Sequence, residues 1–302
     1  REVREVYSEQ DIVGDVRLSD TWDGCLQPGS TYHFMSDGSH LPSSGKAGFG
    51  WVLYEDGEQY VELARGRGYT HGRLSDLSSF RPESAGILAG ITFFRRCPGA
   101  SGAHLHMRLD NKGAVLVAGK VRHYSERDLL NQQDGDIWEA IKDLLSQGPS
   151  IGSVTWWPGH PERSPNAKTF EEYASHDWGV HHADVEADEA SGETEGDRAP
   201  GRYAGNSGWN FLYRGEAIHA GLKQHSRRAI IRDDLTLYLT SPKYKWRWDP
   251  AWVSGVDLLQ LTREVNRNRG WSARATIWKM LTGWLPTLHK LAQRSEDEAT
   301  EE

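Results

Sequence analysis

Residues 31–66, TYHFMSDGSHLPSSGKAGFGWVLYEDGEQYVELARG, hold three short runs rich in β-branched and aromatic residues: TYHFMS (31–36), GFGWVLY (48–54) and QYVELARG (59–66). Turn chemistry separates them, in SSGKAG and EDGE. This spacing predicts three consecutive strands in an antiparallel meander. The first run stops on Asp37-Gly38-Ser39. Taken alone, Asp-Gly at that place is a turn, because glycine accepts positive φ and aspartate bonds its own backbone.

Downstream, RPESAGILAGITFFRR (81–96) spaces Ala85, Leu88, Ala89 and Phe93 at helical intervals, with Pro82 suited to a first turn. HLHMRL (104–109) reads as a strand ending on Asp110 and NKGAVLVAG (111–119) as a short helix. GDIWEAIKDLLSQG (135–148) is an amphipathic helix closed by Gly148, IGSVTWWPGH (151–160) a strand, and HDWGVHHADVEADEA (176–190) a helix. The order β-β-β-α-β-α-α-β-α makes an α/β domain, its mixed sheet formed by the meander and two parallel strands, with helices packed on both faces.

That domain is expected over residues 29–190, after a loosely ordered lead-in at 1–28. Residues 191–208 have the acidic, Gly-rich composition of a linker. A basic, mainly helical accessory region, 209–294, follows: a hairpin in WNFLYRGEAIHAG (209–221), then helices at roughly 226–241, 255–269 and 271–293. Residues 295–302 form an acidic tail.

The 302 residues carry a formal net charge of −8, unevenly spread. Residues 184–197 hold seven acids and no Lys or Arg, whereas 198–294 hold seventeen Lys and Arg against six acids. A basic block of this kind suits a polyanionic partner, and PKYKWRWDPAW (242–252) interleaves bases with aromatics as a nucleic-acid stacking surface would. The bland reading of the same residues is a solvated surface and a small Trp-rich helical core. Cys25 and Cys97 provide neither a disulfide framework nor a four-ligand zinc site, so both read as reduced thiols of an intracellular protein, cytoplasmic or nuclear. No apolar run is long enough to span a bilayer, so no membrane partner is expected. The first residue is Arg, consistent with a processed product or with a piece of a longer polypeptide.

Four carboxylates fall at telling places: Asp37 at or nearly at the end of the first strand, Glu83 in the first turn of the first helix, Asp110 at the end of the fourth strand and Asp184 in the last helix of the domain. All can converge at one edge of the sheet. Neighbouring anions repel and raise one another's pKa, a cost that divalent cations reverse. Oxygen-only ligation suits Mg²⁺ or Mn²⁺. A pair of such ions roughly 3.5–4 Å apart supports in-line attack on a phosphodiester.

At these residues the sequence resembles type 1 ribonuclease H, of the kind found in retroelement polyproteins. SDGSHLPSSGKAGFGWVL is similar to that family's first motif, RPESAGILAGI to its glutamate-bearing helix and LHMRLDNKGAV to its strand-end aspartate motif. WWPGHPER resembles the loop with its mobile histidine and WGVHHAD its Gly-Asn-x-x-Ala-Asp helix. The resemblance implies a five-stranded ribonuclease H-like fold and a nuclease cutting the RNA strand of RNA·DNA hybrids. In it Asp37, Glu83, Asp110 and Asp184 would hold two Mg²⁺ ions, with Mn²⁺ as a substitute, and His160 would assist proton transfer or product departure. An upstream reverse transcriptase is a further implied partner. Val180 replaces the usual asparagine, the stretch PERSPNAKTFEEYAS lengthens the loop, and Asp188 stands one helical turn beyond Asp184 as an alternative ligand. RATIWKMLTGWLPTLHKLAQR resembles a helix that precedes a zinc module in some reverse transcriptases, but no Cys-x-x-Cys follows and no zinc site is expected. His104, His106, His181 and His182 read as packing or surface residues. The rival reading is a non-catalytic module that binds RNA·DNA hybrid or double-stranded RNA.

Overall fold

The computed structural model describes residues 7–42, 44–55, 59–70, 78–148, 150–163, 167–193, 203, 212–213 and 216–217. The chain divides into two units, Arg1–Leu222 and Lys223–Glu302, and the described residues all belong to the first. Its elements are α1 (Glu9–Val13), β1 (Asp15–Leu18), β2 (Thr31–Leu41), β3 (Lys46–Glu55), β4 (Val61–Tyr69), α2 (Phe80–Arg96), β5 (His104–Leu109), α3 (Lys112–Ala118), α4 (Glu126–Asn131), α5 (Gly135–Ser146), β6 (Ser150–Trp156), α6 (Ser175–Glu193), β7 (Leu212–Tyr213) and β8 (Glu216–Ala217).

The expected meander, β2-β3-β4, is antiparallel, and β5 and β6 add to β2 in parallel. The sheet has six strands where five were expected, in the order β1-β4-β3-β2-β5-β6. The extra strand comes from the segment read as a loosely ordered lead-in: Asp15–Leu18 pairs antiparallel with Arg67–Ala64. Its side chains are mostly exposed. Four residues are too few to show a period, and the strand is placed by its ladder to β4, by Val16 against the large core and by Arg17 against Glu186. The hairpin expected near 209–221 is present as the β7/β8 pair. The helices expected at 226–241, 255–269 and 271–293, PKYKWRWDPAW and the acidic tail lie outside the described residues.

Period-two alternation divides β2 between two faces. Tyr32 and Phe34 enter the large core with Ile87, Leu88 and Ile91 of α2, and with Ile137, Trp138 and Ile141 of α5. Met35 enters a smaller core with Val52, Tyr54, Val180 and Ala183, beneath α6. The run Gly48-Phe49-Gly50-Trp51 does the same in β3, sending the large rings to the α2 side and leaving bare backbone under α6. A Cβ on Gly48 would stand 2.5 Å from the Ser191 nitrogen, and one on Gly50 2.6 Å from that of Ala187. Gly48 and Gly50 therefore let α6 lie directly on the sheet.

Buried charge fixes the same helix from the side. Glu186 of α6 is only 2% exposed and lies 3.2 Å from Arg17 of β1, 3.6 Å from Arg65 and 3.8 Å from Arg67 of β4. An acid buried this far needs such partners, and they determine how α6 is rotated above the sheet.

Candidate metal centre

Asp37 does not end its strand. β2 continues to Leu41, with Asp37 opposite Gly50 and Gly38 opposite Phe49. The parallel ladder to β5 stops one residue earlier, at Ser36 opposite Leu109. Asp37 thus stands where the sheet opens, next to Asp110, the first residue after β5. The turn between β2 and β3 follows Leu41, in the SSGKAG stretch expected to hold it, and Asp37-Gly38 is not a turn. Gly38 serves a different need: a Cβ there would strike the Glu83 nitrogen and stand 2.7 Å from the carbonyl carbon of Pro82. The start of α2 closes on the strand through that gap and brings Glu83 to Asp37.

Asp37, Glu83 and Asp110 each offer an oxygen within 4.8 Å of the others. The Asp184 side chain, on α6, hydrogen-bonds that of Asp37. Without a cation, a carboxyl–carboxylate bond needs a proton on one of the two. Burial, with the charges of Asp110 and Asp184, pushes the Asp37 carboxyl well above the ordinary range. Burial, then Asp37 and Asp110, does the same to Glu83. Burial also raises Asp110, with Asp184 adding to the effect and His160 opposing it. Among the described residues no Lys or Arg forms an ion pair with Asp37, Glu83 or Asp110.

These residues fit a hard divalent cation. Asp110 Oδ1 is buried without a hydrogen-bond partner. Asp37 Oδ1 accepts the Gly38 N–H at 2.7 Å, and Glu83 is hydrogen-bonded by Asn111, the residue that caps α3. Charge-dense oxygens left with so few donors are what Mg²⁺ or Mn²⁺ satisfies.

His160 lies at the mouth of this centre with φ at 49°, a left-handed conformation uncommon outside glycine. Its Nδ1 is 3.4 Å from Asp184 Oδ2 and 3.6 Å from Glu162 Oε1. Gly159 before it permits the approach, since a Cβ there would stand 2.6 Å from Asp110 Oδ2. The lengthened loop is tied back through rings: Phe170 stacks on Trp178, and Tyr173 donates its hydroxyl to Glu162 at 3.3 Å. Glu162 had no assigned role in the sequence; its place in the quoted PER loop is the only signal of it. Asp184 groups with His160 and Glu162 in a second cluster of potential ligands, while Asp188, the alternative ligand, is exposed and belongs to neither cluster. Val180 is buried in the small core. His182 Nδ1 lies 2.9 Å from Glu62 Oε2, a polar contact on the sheet side of α6.

A mixed sheet built from an antiparallel meander and two parallel strands, with acids gathered where the parallel pair opens, defines a ribonuclease H-like fold. Among solved structures, the chain is similar to the RNase H domain of prototype foamy virus, at 18% identity over 55% of this chain and 96% of that one, with a TM-score of 0.40. It is also similar to RNase H1 of the archaeon Halobacterium salinarum, at 20% identity over 54% and 99%, TM-score 0.32. A third likeness is to the foamy viral protease-reverse transcriptase in complex with an RNA/DNA hybrid, at 15% identity over 58% of this chain and 22% of that one, TM-score 0.39. No protein-family model and no curated protein matches the sequence. No helix among the described residues is long and apolar enough to cross a membrane.

Proposed function

We propose that this domain is a metal-dependent endonuclease that hydrolyses the RNA strand of RNA·DNA hybrids. The observation that carries the reading is the cluster of Asp37, Glu83 and Asp110, all with raised carboxyls, and the presence of Asp184 near enough to act on Asp37 and Asp110. Such a set is costly for a fold to retain without a cation. The four would hold two divalent ions, Mg²⁺ with Mn²⁺ as a substitute. Those ions would stabilise charge on the phosphate and acidify the attacking water.

The chain's own residues have the remaining tasks. His160 Nδ1 lies between Glu162 and Asp184, and the ring would carry a proton to or from the reacting groups. Beside Asp110, the Lys112 ammonium sits 4.5 Å from the centre of the Trp156 ring, which is 44% exposed. The Trp156 indole N–H donates to the Asp110 carbonyl oxygen at 2.8 Å. A cation and an open π-face next to the acids suit a phosphate and its nucleoside. Hybrid would be told from duplex DNA through 2′-hydroxyls in its wide minor groove. We assign the activity to residues 29–190 together with the α1-β1 segment, and read the chain as retroelement-derived, working beside a reverse transcriptase in cytoplasm or nucleus.

The test is cleavage of a labelled RNA·DNA hybrid with and without Mg²⁺, beside duplex DNA, duplex RNA and the Asp110→Asn protein. Metal-dependent cutting of the hybrid's RNA strand alone, lost in the variant, is expected. Binding without cutting by the unaltered protein would replace this reading with that of a hybrid-binding module.

A further inference from the structure

Arg81, the second residue of α2, is 1% exposed. A cation at a helix N-terminus opposes the helix dipole, and a buried guanidinium is costly unless its donors are met. Here they are met by two acids at the start of α5. Arg81 Nη1 donates to Asp134 Oδ1 at 2.9 Å and to Asp136 Oδ1 at 3.0 Å, and Nη2 donates to Asp136 Oδ2 at 2.8 Å. Asp134 adopts φ of 56° to present its carboxylate. The planar fork matches the carboxylate of Asp136 at two points, which lysine cannot do. The beginnings of α2 and α5 are thereby locked together, and Glu83 stands two residues beyond Arg81 in the locked turn.

Two rings from outside the expected domain close over this centre. Tyr203 is 3% exposed, and its ring centre lies 5.4 Å from the Arg81 guanidinium carbon. Tyr7 packs edge-on against Tyr203, ring centres 5.0 Å apart. Composition assigns Tyr203 to a linker and Tyr7 to a lead-in, yet both meet at one buried charge.

We propose that Arg81, Asp134, Asp136 and Tyr203 form a positioning device for Glu83, so that the chain beyond α6 helps to hold the metal centre in shape. Tyr203 is a positioning residue in this scheme, acting through Arg81. The inference deepens the nuclease reading and rests on it for its consequence in catalysis. Its structural content, a first turn of α2 held by a residue from beyond α6, stands apart from any reaction.

The experiment uses the full chain with Tyr203→Ala, Tyr203→Phe and Arg81→Lys. Three readouts are taken: amide hydrogen exchange in the first turn of α2, Mn²⁺ affinity by paramagnetic titration, and kcat and KM on a hybrid. Tyr203→Ala is expected to speed exchange in that turn and to weaken Mn²⁺ about tenfold, the size usual for groups that orient metal ligands. It should lower kcat with KM little changed. Tyr203→Phe, which keeps a ring over the guanidinium, falls between it and the unaltered protein, and Arg81→Lys exceeds both. Should Arg81→Lys fail to fold, the Tyr203 pair decides the matter. Unchanged exchange and Mn²⁺ affinity in Tyr203→Ala would overturn the proposal, as would a lowered melting temperature with Mn²⁺ affinity intact. If the unaltered protein cuts no hybrid while Tyr203→Ala still loosens α2 and Mn²⁺ binding, the nuclease reading falls and the positioning device stands.

Discussion

Gly38 in β2 lies so close to Glu83 in α2 that the two backbones touch where any side chain on Gly38 would have to go. The obstacle is main chain, not the end of a flexible side chain, so Gly38→Ala has to push the helix away. A shift approaching 1 Å at a reacting centre is worth about a hundredfold in rate. Gly38→Ala is expected to reduce hybrid cleavage by about that factor and to destabilise the fold by about 1–3 kcal/mol. Turnover and thermal melting of the variant check both; full activity would mean that the close approach has no role in placing Glu83.

The gathered acids make the metal-free fold less stable than it need be. Asp37, Glu83 and Asp110 have folded pKa values above their ordinary ones, with burial as the leading cause. The metal-free fold therefore holds protons that the unfolded chain gives up, and its stability falls as pH climbs from the ordinary carboxylate range toward the raised values. Asp37→Asn should abolish cleavage and yet raise the melting temperature in EDTA at neutral pH, by about 2–4 °C for each kcal/mol relieved. Mg²⁺ should stabilise the unaltered protein and have little effect on the variant. A variant that melts lower than the unaltered protein in EDTA would contradict this.

Glu62 shows the opposite sign. Burial alone would raise its carboxyl, but hydrogen bonds from His182 and Arg65 prevail and hold it at about 2. Its contribution is complete above the ordinary glutamate range, near about 4.3, and is lost as pH falls toward about 2. Glu62→Gln should therefore lower the melting temperature most above pH 5 or so, with the gap closing in acid. A gap independent of pH would show that the ion pairs contribute nothing and that only packing was disturbed.

His160 is expected to speed the reaction without being indispensable, because Asp37, Glu83 and Asp110 gather without it. His160→Ala should slow turnover by about a hundredfold or more, the lower end for a positioned proton-transfer group. Glu162→Gln should have a smaller effect in the same direction, since it leaves Asp184 in contact with the ring. Single-turnover and steady-state rates on a hybrid measure both. Equal losses from Glu162→Gln and His160→Ala would move the main role to Glu162.

The meander, the α2 pattern and the order of the motifs were legible because each is a matter of local period: alternation in β2 and β3, helical spacing from Ala85 to Phe93, Gly and Asp at the breaks. What escaped was decided by close approach between distant segments. Asp37-Gly38 has the composition of a turn and sits inside a strand, because the glycine is needed for the backbone of α2 and not for its own torsion. β1 escaped because four residues are too short a run for its alternation to stand out. Arg81 has the sequence context of an ordinary charged residue near a helix start, and its burial is met by Asp134, Asp136 and Tyr203, brought from fifty and more positions away.

By itself the sequence determined the meander, the α2 and α5 helices and the order of the acids along the chain, since those properties depend on neighbours along the chain. The tertiary structure alone decided that Asp37, Glu83 and Asp110 meet, that Asp184 comes near Asp37 while Asp188 stays out in solvent, and that His160 comes to rest against Asp184. Carboxylates acquire raised pKa values and cation affinity from what surrounds them in space, and that surrounding is built from bare glycine backbone at Gly38, Gly50 and Gly159, where contacts too close for any side chain bring the elements together.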